Sequence, residues 1–224
     1  MKLATREVRP EILDGLAPDD PRAIASRGDL RRLNALMNHP RVMATALGNR
    51  RTTRLLEIGA GDGSLIVRVM RRLPGSGEGT RVTLLDRQPV VTDDLEREAF
   101  EIVTADVFDY LRHEERTRFD AIVANLFLHH FEDGTLRELL GLIAERTNLF
   151  VACEPRRSKW GRASCHMLRV IGCNDVTRHD ARASVEAGFR GRELSGLWPQ
   201  SDEWSLQERA FAPFGHLFRV ERRG

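Results

Sequence analysis

The sequence predicts an α/β fold: a doubly wound sheet, mostly parallel, with a C-terminal antiparallel hairpin, N-terminal helices and a helical insertion. Three observations predict it. Between Thr53 and Pro155, short apolar runs alternate with amphipathic segments in a strand–helix rhythm. The strand runs are almost continuously apolar, as they are when helices cover both faces of a parallel sheet. Two further β-like runs near the C-terminus are too close together for a parallel crossover. At 224 residues, the chain has the length of one such domain with modest extensions.

The first segment, to about Ile24, is rich in Pro and Asp and reads as an irregular arm. Asp29 is placed to cap a helix carrying Leu30, Leu33, Leu36 and Met37 on one face. Pro40 ends that helix and suits the first turn of a second one, which carries Val42, Met43, Ala46 and Leu47 and stops at Gly48. Residues 1–50 thus form an arm and a helical lid, and 51–224 the main domain.

There, "TRLLEIG" is the first strand, and "GSLIVRVMRRL" is a helix with Leu65, Val69 and Leu73 on one face. A Gly-rich turn at Pro74–Gly79 leads to "RVTLLD", the second strand. A short helix near Thr92–Glu98 precedes "FEIVTAD", the third. One or two helical turns follow in "VFDYLRH", then a fourth strand in "FDAIVANLFL". "FEDGTLRELLGLIAERT" is a helix whose buried stripe is Leu136, Leu139, Leu140 and Ile143, and "NLFVACEP" is the fifth strand. A helical insertion spans about 156–199. Its first helix, "SKWGRASCHMLRVIG", holds Trp160, Met167, Val170 and Ile171 in register, and "RHDARASVEAGF" is its second. "EWSLQERAF" and "GHLFRVERR", linked around Pro213 and Gly215, complete the hairpin at the sheet edge.

Composition excludes several classes. Thirty-five basic residues against 33 acidic leave a net charge of +2, which gives no electrostatic case for nucleic acid or an anionic membrane. No run approaches the roughly 20 apolar residues of a membrane span. The start, "MKLATREVRPEILDG", has no secretory character. Cys153, Cys165 and Cys173 are odd in number and lack C-x-x-C spacing, so neither disulfides nor zinc is expected. A cytoplasmic protein fits this usage.

The chemistry concentrates in "LLEIGAGDGSL". Gly59, Gly61 and Gly63, with Ala60 between the first two, end the first strand, where an open parallel sheet binds ligands. They let the chain turn tightly and let a ligand approach the bare backbone. Glu57 stands just ahead, where its carboxylate can receive a cationic group. Asp86 closes the second strand, where a carboxylate accepts both hydroxyls of a ribose. Asp106 closes the third, placed for an exocyclic amine, although a strand-end aspartate is equally a helix cap. A cationic amino-acid end, a ribose and an adenine in that order describe S-adenosyl-L-methionine.

These residues, from Thr53 to Pro155, resemble the class I S-adenosylmethionine-dependent methyltransferases, whose fold is Rossmann-like. The family's first motif, an acid followed by G-x-G-x-G, is matched by Glu57, Gly59, Gly61 and Gly63. The resemblance places the ribose on Asp86 and the adenine by Arg87 and Gln88. It gives the adenine amine to Asp106 and the purine ring to the Val107 main-chain N–H. Its fourth motif falls on "FDAIVANLFLHHF", which sets Asn125 and Leu126 beside the methionine end. The family's closing hairpin matches the two terminal β runs.

A second, looser resemblance joins "EPRRSKWGRASCHMLRVIGCNDVTRHDARASVEAGFRGREL" to bacterial methyltransferases of small aromatic metabolites, some of which accompany type III polyketide synthases. It implies O-methylation of a phenolic or polyketide acceptor in secondary metabolism. N-P-P-Y and D-P-P-Y, the motifs of adenine and glutamine methylation, are missing.

Two other functions remain. A Rossmann-type NAD(P)-dependent oxidoreductase would also use the glycines and Asp86, but G-x-G-x-x-G spacing would need Gly or Ala at Ser64, and a pyrophosphate has no use for Glu57 or Gly63. A non-catalytic cofactor-binding partner protein could do without Glu57, Asp86 and Asp106, all of which are present. Methyl transfer needs alignment and desolvation foremost; a phenol also benefits from a base. Candidate bases are His130 and His129 at the rim after the fourth strand, and His179 in the insertion. On a strand-like backbone the two neighbours would point opposite ways. Glu154 closes the fifth strand toward the same rim, and His39 lies where it could line the lid. No metal-ligand cluster is legible. The expected partner is a small-molecule acceptor, with a homodimer left open.

Overall fold

A computed structural model of the protein describes residues 3–73, 79–88, 98, 100–113 and 118–223. The helix near Thr92–Glu98 and the turn at Pro74–Gly79 fall, apart from Glu98 and Gly79, outside them. Five strands pair in parallel: β1 (Arg54–Ile58), β2 (Arg81–Asp86), β3 (Glu101–Thr104), β4 (Ala121–Asn125) and β5 (Leu149–Pro155). The hairpin of β6 (Trp204–Phe211) and β7 (Gly215–Arg222) adds to the edge through antiparallel pairing of β7 with β5. The order is β3-β2-β1-β4-β5-β7-β6. It reverses between β1 and β4, and that reversal opens the crevice in which such sheets bind ligands.

The apolar strands bury both faces, as their composition requires. One face packs Leu55, Val123 and Val151 beneath Met43 and Leu47 of α2 (His39–Leu47) and Ile66 of α3 (Ser64–Met70). The other packs Ile58, Ala124 and Ala152 against Leu136, Leu140 and Ile143 of α5 (Asp133–Arg146). Between β3 and β4 runs α4 (Val107–Arg112). The expected stripe of α5 is fully buried.

Three expectations are corrected. Helix α1 runs Pro21–Leu36 and is capped by Asp20, whose carboxylate accepts from Arg22 N. Asp29 lies inside it, buried, and its carboxylate accepts from Asn174 N at 2.8 Å and Thr177 Oγ1 at 3.0 Å. The buried side of α1 is Ala23, Ser26 and Asp29, while Leu36 is exposed. This helix therefore docks through polar contacts rather than through its leucines.

The long first helix of the insertion is also broken. It forms a short α6 (Lys159–Ser164) and a 3₁₀ turn, Cys165–Arg169, and Trp160, Met167, Val170 and Ile171 are all exposed, Trp160 by 82%. The second helix, α7 (Asp175–Ala187), starts earlier than its sequence suggests, because Asn174 caps it by accepting from Thr177 N. A further short helix, α8 (Glu193–Leu197), follows.

Candidate active site

The chain leaves β1 through a turn in which Gly59, Gly61 and Gly63 all have positive φ, at 67°, 56° and 63°. The two central glycines have different reasons for lacking a side chain. A Cβ at Gly59 would stand 2.3 Å from the Phe127 ring, whereas one at Gly61 would enter open space. The first position is closed by packing and the second faces the crevice. Gly59 N and Ala60 N both donate to Leu85 O, which ties the turn to β2. Asp86 holds it from the next strand: Oδ2 accepts from Gly61 N at 2.9 Å and Oδ1 from Gln88 N at 2.8 Å. Arg87 and Gln88 are exposed beside it.

Glu57 is fully buried, and its Oε2 has no partner among the described residues. Desolvation pushes its carboxyl well above the usual range, and the charges of Asp62 and Asp86 add to the effect. A buried acid without a partner is costly unless a cation arrives. That is the fit expected for the ammonium group of a methionine end.

Asp106 caps α4, with Oδ1 accepting from Phe108 N at 2.8 Å. The cap role leaves Oδ2 for a ligand. Val107 is the first residue of the helix, where a backbone N–H has no intrahelical acceptor.

At the end of β4, Asn125 shares the sheet face of Glu57, since Glu57 pairs with Val123. Its Oδ1 accepts from His39 Nδ1 at 2.6 Å, and its Nδ2 donates to Asn34 Oδ1 at 3.3 Å. Burial lowers the His39 pKa to about 4, so the ring is neutral, and its Nε2 is buried without a partner among the described residues. Next, Leu126 takes a positive φ of 51°. Phe127 then turns its ring toward Gly59 and packs edge-on against Phe131 at 5.2 Å.

Residues 56–148 match the family model described as a methyltransferase domain. Residues 56–148 thus carry a methyltransferase domain of the S-adenosylmethionine-dependent kind. No curated protein matches the sequence significantly. Similar solved structures include the plantazolicin methyltransferase BpumL in complex with SAH, at 14% identity, TM-score 0.60 and 92% of each chain. An O-methyltransferase family protein from Burkholderia thailandensis matches at 16% identity and TM-score 0.61, over 92% of this chain and 61% of that one. The mitomycin 7-O-methyltransferase MmcR matches at 19% identity and TM-score 0.60, over 94% and 60% respectively. The chain thus spans about three fifths of the last two. At these identities the likeness is one of fold.

In this methyltransferase domain, the rim beyond β4 holds the histidine pair. A 3₁₀ turn, Leu128–His130, replaces the expected strand-like backbone and sets the two rings 4.3 Å apart. His129 is buried between two carboxylates, with Nδ1 donating to Glu154 Oε2 at 2.8 Å and Nε2 facing Glu11 Oε1 at 3.3 Å. Burial alone would lower its pKa, but hydrogen bonds and charge from Glu11 and Glu154 prevail and lift it to about 9. It is therefore an imidazolium at neutral pH. Glu154, fully buried, also accepts from Phe127 N and Leu128 N through Oε1.

His130 is part-exposed, with Nδ1 3.3 Å from Asp14 Oδ2. His179 is exposed on α7, and its Nδ1 donates to Asp180 Oδ1 at 2.9 Å. Glu11 and Asp14 come from the N-terminal arm, 118 residues from His129 in the case of Glu11. No sequence pattern could have paired them.

Proposed function

We propose that this domain methylates an oxygen of a small aromatic acceptor, phenolic or polyketide in kind. The bound cofactor supplies a methyl group on a sulfonium, open to in-line displacement. Glu57 receives the ammonium end, and Asp86 and Asp106 hold the ribose and adenine amine. Val107 N–H and Arg87 flank the base, and Asn125 and Leu126 border the methionine portion. Residues 3–50 and the 156–199 insertion roof the acceptor. The observation that carries the reading is the buried, unpartnered Glu57 beside a glycine turn open at Gly61. The acceptor class draws support from the half-buried Phe127 and Phe131 at the rim and from the similarity to natural-product methyltransferases.

His130 is the accessible member of the pair and the candidate to take the phenolic proton. His129, already protonated, contributes positive charge and position, and His179 is the reserve candidate on the insertion. Calorimetry tests the cofactor half: S-adenosylhomocysteine should bind, and Asp86→Ala should weaken it at least tenfold, from loss of charge-assisted bonds worth ~1.5–3 kcal/mol each. Unchanged affinity would move the ribose elsewhere. The acceptor half is tested by mass spectrometry of phenols for a methyl gain. His130→Ala should cut turnover by roughly 10²–10⁴, and less as pH nears the phenol's pKa of ~10. A pH-independent loss would exclude His130 as the base.

A further inference from the structure

We infer that Glu11, His129 and His130 form a binding site for a divalent cation of the zinc class, assembled when the N-terminal arm docks on the rim beyond β4. One ligand atom from each of the three lies within 4.8 Å of the others. Two imidazoles and one carboxylate suit zinc and its neighbours rather than magnesium, which takes oxygen ligands.

The distances around His129 suit a shared ion at the outer contact and a hydrogen bond at the inner one. A charge-assisted N–H···O bond is about 2.7–2.9 Å long, and His129 Nδ1 to Glu154 Oε2 meets that at 2.8 Å. The other nitrogen, Nε2, stands 3.3 Å from Glu11 Oε1, and a cation bound between them takes the place of the Nε2 proton, which is released to solvent. Two ligand atoms about 2.1 Å from one ion at a tetrahedral angle are about 3.4 Å apart. The inner contact has the length of a strong hydrogen bond, and the outer one, a long hydrogen bond, also has the spacing of two atoms sharing an ion. The ring centroids of His129 and His130 are 4.3 Å apart and tilted by 33°, and one nitrogen of each is among the atoms that lie within 4.8 Å of one another.

The support behind the site is a second, independent observation. A metal-binding histidine commonly donates its remaining N–H to a carboxylate, which fixes the ring and strengthens the ligand. Glu154 does this for His129, and is itself held by the N–H groups of Phe127 and Leu128 at 3.0 and 2.9 Å. Glu11 is likewise oriented, its Oε1 accepting from Ser184 Oγ. Asp14, 3.3 Å from His130 Nδ1, adds a further carboxylate at the margin. Glu11 and His130 are only partly buried, which gives an ion a way in. Three protein ligands leave a coordination position for water or an acceptor oxygen. On the acceptor reading above, the ion would then take over from a free His130 imidazole the task of stabilising the phenolate.

The test needs neither cofactor nor acceptor, so its outcome is separate from that reading. The chelator-treated full chain is titrated with Zn²⁺ by calorimetry and with Co²⁺ by visible absorption. One equivalent should bind, with the ligand-field bands of a low-coordinate nitrogen–oxygen site, and excess Mg²⁺ should not displace it. Glu11→Gln and His130→Ala should each abolish the bands or weaken binding at least a hundredfold. Glu154→Gln, acting through His129, should weaken it roughly 10–100-fold. The far-ultraviolet circular dichroism of the two ligand variants should match the parent. Failure of the parent to take up Co²⁺ stoichiometrically, or uptake unchanged in both ligand variants, overturns the site.

Discussion

Single residues carry separate tasks in the first turn, and substitution can tell them apart. At Gly59 a Cβ would overlap Phe127 at 2.3 Å, while at Gly61 it would meet nothing within 4 Å. Both have positive φ, so alanine strains each backbone by about 1 kcal/mol. The steric part differs. Gly59→Ala should lower the melting temperature by many degrees, because a packed aromatic ring must move. Gly61→Val should lower stability less and abolish binding of S-adenosylhomocysteine, because its branched side chain fills the crevice. Calorimetry and thermal melts on both variants check this; equal melting losses with retained binding in Gly61→Val would show that the ligand passes elsewhere. The turn itself was legible because the glycines and their acid are contiguous. The pairing of Glu154 with His129 was not, since nothing in sequence joins the end of one strand to the turn after another.

Among the described elements, those within the alternating region matched their sequence rhythm because each buries a stripe in a continuous core. Outside it, α2 and the closing hairpin also matched, but α1 and the first insertion helix did not, because polar anchors replace apolar ones there. In α1 the buried face centres on Asp29, and the segment after α6 leaves its apolar residues at the surface. The N-terminal arm is held in the same polar way. Ile12 N and Leu13 N donate to the two carboxylate oxygens of Asp180, each at 2.9 Å, and Glu7 N donates to Glu186 O at 3.2 Å. Asp180 is therefore the arm's anchor. Asp180→Ala should leave those N–H groups without an acceptor at ~1–3 kcal/mol each. This cost is confined to the arm, whose opening is local. Limited proteolysis should cleave within the first 20 residues at least tenfold faster, while the global melt shifts by only a few degrees. An unchanged cleavage rate would mean the arm is held by its other contacts, such as Arg6 with Phe131 O and Ala187 O.

For the molecule as a whole, the sheet order places every element of the candidate cofactor site at one end, and the two N-terminal helices close the Glu57 face of that end. The closing residue is His39, which joins α2 to Asn125 and packs edge-on against Phe211 of the terminal hairpin at 5.4 Å. It thus couples the lid, the central strand and the edge hairpin through one neutral buried ring. Burial, partly offset by its bond to Asn125 and the charge of Glu154, lowers its pKa from 6.5 to about 4. The depressed value sets the sign. Below pH 6.5 the unfolded chain binds a proton that the folded chain refuses, so stability falls as pH drops from 6.5 and the loss is complete below about 4. The shift corresponds to ~3 kcal/mol in full, of which ~2 kcal/mol is lost by about pH 5. Carboxylates with depressed values, such as Glu208 and Asp120, titrate in the unfolded chain near 4.5 and 3.8, so they dominate only at lower pH. His39 alone thus accounts for a ~2 kcal/mol loss between about pH 7 and pH 5. His129 and Glu57, whose pKa values are raised, change stability in the opposite sense, so denaturant melts of the parent are read against a His39 variant. His39→Gln keeps a donor for Asn125 and has nothing to protonate. It should be less stable than the parent at pH 7, and the parent's advantage should shrink by ~2 kcal/mol at about pH 5. An equal loss in the variant would place the acid-labile group elsewhere and leave His39 as a packing residue alone.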